Sequence, residues 1–228
     1  MDFLKTKEVT VRRYKVTIIR DDDHIGGTLR RGYEWDGWMR EDLPSLVKPG
    51  CDILDIGGNI GFNALMFSDY APVHTFEPIY HEIIRKNIDN NCLDHTVTLH
   101  PYGLSDEEKL VDFWIDGHTD GNALRNYGGT SIIKSDFCEK APFQGALKRL
   151  DDVYSGVPCL LKIDVEGHEF QVIKGAQRII ETYKPAIYIE LFDFDDSPIP
   201  PFLKNLGYET VIPKQDHNYL FICPHSCN

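Results

Sequence analysis

The chain has 228 residues, enough for one folded domain or one domain with an extension. Hydrophobic residues make up 42% and charged residues 26%, which excludes a disordered chain, and no apolar run nears the roughly 20 residues that span a bilayer. With 36 acidic against 24 basic residues the formal charge is −12, which argues against nucleic acid as a main partner because phosphate binding needs a basic face. Residues 1–13 are mixed in charge and lack the apolar stretch of a signal peptide. The six cysteines are scattered, several within apolar runs such as Cys159-Leu160-Leu161, and are expected to be reduced thiols of a cytoplasmic protein. Cys223 and Cys227 have no second pair to complete a metal site and read as frayed surface residues.

In chain order, the β-branched content of residues 9–19 predicts one strand. Asp21, Asp22, Asp23, Gly26 and Gly27 predict a turn or loop, and residues 34–47 a short helical region stopped by Lys48-Pro49-Gly50. From Cys51 onward strands alternate with helices. Strands are expected at 52–56, 73–77, 96–101, 160–165 and 186–191, with helices at 62–70, 80–90 and 169–182. In 80–90 the apolar Ile83, Ile84 and Ile88 share one stripe while Glu82, Arg85, Lys86 and Asp89 lie outside it. Phe170, Ile173, Ala176 and Ile180 repeat that pattern. Such alternation predicts an α/β fold with a mostly parallel, doubly wound sheet. Residues 109–115 predict an extra strand, and 116–146, with glycines at 117, 121, 128 and 129, a long loop of the lid or substrate kind. The acidic run at 193–196 reads as a solvated loop or the cap of a short helix from Ser197. Residues 208–212 and 219–222 predict an antiparallel hairpin closing the sheet edge. The whole is expected to be a single domain, with 1–50 an extension covering a ligand site and 51–228 the core.

The sharpest motif is Asp55-Ile56-Gly57-Gly58-Asn59-Ile60-Gly61, between an apolar strand and a helix. A strand that breaks on glycines and re-enters as a helix offers close backbone approach and unpaired N–H groups, a cradle for an adenosine-containing cofactor. The spacing does not meet the dinucleotide pattern, because Asn59 stands where a pyrophosphate needs glycine. Asp55 at the strand end would repel a pyrophosphate and suits an ammonium group. Glu77 ends the next strand 20 positions beyond Gly57, the usual distance for a carboxylate that accepts hydrogen bonds from ribose hydroxyls. Together these favour S-adenosylmethionine over NAD.

A third motif is Lys162-Ile163-Asp164-Val165-Glu166-Gly167-His168-Glu169, followed by Val172-Ile173-Lys174-Gly175-Ala176. With the glycine loop and Phe76-Glu77-Pro78 it resembles the FkbM-type family of S-adenosylmethionine-dependent methyltransferases. The resemblance extends over about residues 50–191 and includes Arg85-Lys86-Asn87, Leu104-Ser105-Asp106, Gly129-Thr130-Ser131 and Leu150-Asp151-Asp152. It implies a Rossmann-like class I methyltransferase fold and O-methylation of a sugar, glycan or other hydroxylated small molecule. It also implies cofactor contacts at Asp55, Gly57, Asn59, Gly61 and Glu77, with the adenine near Gly103 and Leu104. Gly58 and Gly103 stand where alanine is common in the family.

Methyl transfer from a sulfonium is an in-line displacement, and an alcohol acceptor needs a base or a metal to shed its proton. Asp164, Glu166 and His168 cluster after the fourth expected strand of the core and Glu190 ends the fifth. Asp164 or His168 is the expected base, with Glu166 and Glu190 orienting the acceptor; capping of the following helix is the structural alternative for the carboxylates. Lys162 is expected to pair with a carboxylate. The resemblance calls for no metal; the alternative is Mg²⁺ held by Asp164, Glu190 and either Asp193 or His168. Tyr33, Trp35 and Trp38 either face a ligand or pack the N-terminal segment. The competing readings are an NAD-linked oxidoreductase, a non-catalytic cofactor-binding protein, and a protein or RNA methyltransferase. Neither a membrane nor a nucleic acid is expected as partner, and the oligomeric state is open.

Overall fold

The computed structural model describes residues 4–116, 125–134 and 138–224. The chain opens with an antiparallel hairpin, β1 (Thr6–Val11) and β2 (Tyr14–Ile19). The single strand expected at 9–19 is thus two strands, reversed at Arg12, which adopts a positive φ of 50°. A short helix α1 (Ile25–Arg30) begins within the stretch expected as loop. Asp22 accounts for it: its carboxylate accepts the backbone N–H of His24 and of Gly26 and so organises the helix start. A 3₁₀ turn (Gly37–Glu41) and α2 (Leu43–Leu46) complete the N-terminal segment.

The core follows as β3 (Asp52–Ile56), α3 (Phe62–Phe67), β4 (Val73–Phe76), α4 (His81–Asp89) and β5 (Val97–His100). Next come β6 (Gly103–Leu104), β7 (Lys109–Asp116), β8 (Asn126–Ser131) and β9 (Cys138–Lys148). The chain then runs through α5 (Leu150–Val153), β10 (Pro158–Ile163), α6 (Glu169–Gly175), α7 (Gln177–Tyr183) and β11 (Ala186–Glu190), and ends with α8 (Ile199–Asn205), β12 (Thr210–Pro213) and β13 (Asn218–Ile222). The main sheet has seven strands in the order β12-β13-β11-β10-β3-β4-β5. Its pairs are parallel except where β13 inserts antiparallel between β11 and β12. This is the expected α/β fold, closed at one edge by the expected hairpin. The chain leaves β3 toward β4 and later leaves β10 toward β11, so the topological switch lies between β3 and β10, where open sheets bind ligands.

Among the described residues, the segment expected as a lid loop is mostly sheet. β8 and β9 join β6 and β7 in a second sheet of order β6-β9-β7-β8. Its glycines hid the pattern, but Phe113, Ile115, Tyr127, Ala141 and Leu147 bury a common apolar face against Ile18, Ile25, Ile79 and Tyr80. Gly117 and Gly121 lie outside the described residues. The helix expected at 169–182 is split at Ala176. The split lies beside Gly175, which packs so closely on Ser105 that a Cβ there would come within 1.9 Å of its carbonyl oxygen.

The cysteines depart from expectation. Cys51 and Cys159 form a disulfide with Cα atoms 5.6 Å apart. They stand at the starts of neighbouring strands β3 and β10, a proximity invisible at a separation of 108 residues. Cys92 is a free thiol, and Cys223 is free and buried in the core rather than frayed, while Cys227 lies outside the described residues. Among the described residues no helix is long and apolar enough to cross a membrane.

Candidate active site

The turn after β3 is forced open by its own sequence. Gly57 has φ +89°, and a Cβ there would sit 1.8 Å from the carbonyl oxygen of Asp164, so the loop can lie against the end of β10 only with glycine. At Gly58 a Cβ would come within 2.2 Å of the Thr75 hydroxyl. Asn59 takes the left-handed conformation (φ 49°) with its own Oδ1 accepting the N–H of Ile60.

The loop rims a cavity of about 600 Å³ at the C-terminal ends of β3, β4, β10 and β11, roofed by the second sheet and the N-terminal segment. Of the predicted cofactor residues, Gly57, Asn59, Glu77, Gly103 and Leu104 line it. Asp55 and Gly61 do not. Gly61 supports α3 against Ile84. Asp55, expected at the mouth, is fully buried beneath the loop, with the Thr75 hydroxyl donating to its Oδ2 at 3.0 Å. Burial pushes its pKa up to about 6. Its Oδ1 has no hydrogen-bond partner, and neither has Oδ1 of Asn63, a cavity-lining residue in the first turn of α3. Of these two buried acceptors without a donor, one belongs to a residue that lines the cavity and the other lies beneath it.

Glu77 is 6% exposed. Its Oε1 accepts the N–H groups of Ile79 (2.7 Å) and Tyr80 (3.1 Å), and its Oε2 that of Asn59 (2.9 Å). Burial outweighs these donors and pushes its pKa up to about 7. Beyond it Pro78, Ile79, Phe113, Leu104 and Leu147 make an apolar wall.

The predicted catalytic residues stand at the ends of β10 and β11. All four, Asp164, Glu166, His168 and Glu190, line the cavity. Oxygens of Asp164, Glu166 and Glu190 lie within 4.8 Å of one another. Glu166 is placed there by a left-handed turn (φ 55°), with Ser131 Oγ donating to its carbonyl. Glu190 is raised far above the usual carboxylate range by burial and by the like charges of Asp164 and Glu166. Lys162, 2% exposed, places its Nζ 2.8 Å from Asp164 Oδ2, the pairing expected for it. Burial alone would depress this ammonium, but Asp164, Asp36 and Asp55 together raise its pKa.

His168 stands apart from the trio. Its Nε2 lies 2.9 Å from Ser105 Oγ, which also lies 3.1 Å from Asp106 Oδ1. Burial lowers its pKa. Asp193, offered as a metal ligand, is not in the cluster. Trp35 lines the cavity, Trp38 packs edge-on against Tyr188, and Tyr33 is exposed and fits neither reading. Sequence reasoning missed Asp36, whose Oδ2 accepts from Asn63, and Asp216 and His217 of the β12–β13 turn, which reach the cavity wall. An aspartate inside the aromatic segment was the one signal for Asp36; nothing local marked the turn.

Three comparisons bear on this site. The family described as the methyltransferase FkbM domain matches residues 55–210. A hexuronic acid methyltransferase, AglP, of Haloferax volcanii is 26% identical over 173 residues, which is 75% of this chain and 69% of that protein. The crystal structure of a methyltransferase FkbM from Methylobacillus flagellatus KT superposes with a TM-score of 0.51 at 16% identity, covering 80% of this chain. The chain spans 50% of the length of that structure. With the match running from Asp55 through the glycine loop, Glu77 and the Lys162–Glu169 string to the last edge of the sheet, the chain belongs to the FkbM methyltransferase family.

Proposed function

We propose that this methyltransferase uses S-adenosylmethionine to methylate a hydroxyl of a sugar or glycan. The observation that carries the reading is one cavity lined by the glycine loop, by Asn63 with an acceptor short of a donor, and by the carboxylates of Asp164, Glu166 and Glu190. The ammonium of a methionine moiety supplies the donor that Asn63 Oδ1 lacks. Glu77 is the carboxylate for the ribose hydroxyls, Gly57, Asn59 and Gly61 shape the loop, and Gly103 and Leu104 stand in the apolar region for the adenine. When bound, the cofactor supplies an electrophilic methyl group on a sulfonium.

Asp164 is the base that takes the proton of the acceptor hydroxyl, and Lys162 holds its carboxylate in place from behind. Glu166 and Glu190 orient the acceptor. His168, bound through Nε2 to Ser105, shapes the wall. The face of Trp35 suits a sugar ring. The name of the relative from Haloferax volcanii, a hexuronic acid methyltransferase, supports a sugar as the acceptor class.

Titration calorimetry with S-adenosylhomocysteine tests the cofactor half. Binding is expected, weakened at least about tenfold in Glu77→Ala, where buried N–H groups lose their acceptor. No binding by the wild type, or equal binding by the variant, would sink it. A mass-spectrometric screen for gain of one methyl group across sugars and nucleotide-sugars tests the acceptor half. With the acceptor found, Asp164→Asn is expected to cut kcat about 100-fold or more while leaving S-adenosylhomocysteine affinity within a few-fold.

A further inference from the structure

We infer that the end of the cavity beside β10 and β11 is a divalent-cation site, held by Asp164, Glu166, Glu190 and the side-chain oxygen of Asn218. Two independent observations meet there. The first is the carboxylate trio. One oxygen from each residue lies within 4.8 Å of the other two. Two oxygens on opposite sides of an ion at about 2.4 Å each are separated by about 4.8 Å, so the trio is already as compact as one coordination shell of a hard cation. Lys162 contacts Asp164 through Oδ2 and is shared with Asp36 and Asp55.

The second observation is Asn218. It is 6% exposed, its Nδ2 donates to the carbonyl of Asp216, and its Oδ1 has no partner. On the antiparallel pair β11–β13 it sits directly across from Glu190. Cross-strand partners project from the same face with Cβ atoms about 5 Å apart, which sets the Asn218 side chain next to that of Glu190. A buried neutral oxygen on that side chain is the wrong group for an anion and the right one for a hard cation, which takes carboxylate and amide oxygens together. Asp193 and His168 are not members of this set. The site goes beyond the methyl-transfer reading and stands on different residues from the cofactor end. A cation there would bind an acceptor hydroxyl directly and lower its proton affinity beside Asp164.

The test uses the purified full chain, stripped with chelator and titrated with Mn²⁺ while the paramagnetic resonance signal of free Mn²⁺ is followed. One tight site per chain is expected, displaced by Mg²⁺ or Ca²⁺ and weakened at least about tenfold in Glu190→Gln and in Asn218→Leu. No stoichiometric site, or affinity unchanged in both variants, overturns the inference. S-adenosylhomocysteine binding by the same samples, measured without metal, shows that each variant is folded. It also separates the two claims: cofactor binding with no Mn²⁺ site removes the cation and leaves methyl transfer standing.

Discussion

Glu77 shows how much a single buried carboxyl can reveal. Its folded-state pKa is raised by burial from 4.5 to about 7. Between those values the native chain holds a proton the unfolded chain has lost, so the stability of the ligand-free protein falls as pH rises through that window. Ribose hydroxyls are donors and call for the ionised form, so cofactor binding runs the opposite way. S-adenosylhomocysteine affinity is expected to rise about tenfold between pH 6 and 8, with the slope abolished in Glu77→Gln. Calorimetry across that range checks it, and a flat wild-type profile refutes the assignment of Glu77. The position was legible in the sequence because a carboxylate at a strand end, a fixed distance past a glycine loop, is a local pattern. Asp55 was legible as a residue but not as a position: only the packing of Thr75 and the loop over it turned a charge at the mouth into a buried group beneath the floor.

At the scale of elements, Asn87 on α4 ties three pieces of the chain together. Its Oδ1 accepts the N–H of Thr17 at 2.6 Å, and its Nδ2 donates to the carbonyls of Thr17 (3.0 Å) and Ile60 (2.8 Å). It thereby pins the N-terminal hairpin and the end of the glycine loop to one helix. Asn87→Leu strands three buried backbone groups and is expected to cost about 2–4 kcal/mol by urea denaturation, with weaker S-adenosylhomocysteine binding as well. A loss under about 1 kcal/mol would show that the clip is dispensable. The motif Arg85-Lys86-Asn87 was visible in the sequence, but its purpose was not, since the partners lie 70 and 27 positions away. The second sheet was missed for the same reason. Strand β9 is made by its pairing with β7, and nothing within its own residues distinguishes it from a glycine-rich loop.

Across the whole molecule, the Cys51–Cys159 bridge staples the two central strands at the end of the sheet away from the cavity. Closing a loop of 108 residues is worth about 4–5 kcal/mol on the chain-entropy view. Cys51→Ser, or full reduction, is accordingly expected to lower the thermal midpoint by several degrees while leaving cofactor affinity nearly unchanged; an unaltered midpoint would mean the bridge does not form in solution. The sequence by itself determined the doubly wound core, the glycine loop, Glu77 and the carboxylate string, because periodicity, glycine spacing and strand-end residues are properties of neighbours along the chain. Only the tertiary structure decided that Cys51 meets Cys159, that His168 turns to Ser105, and that Glu166 and Glu190 gather around Asp164. Those groupings are created by strands brought side by side from distant parts of the chain, and burial then sets the charge each group carries.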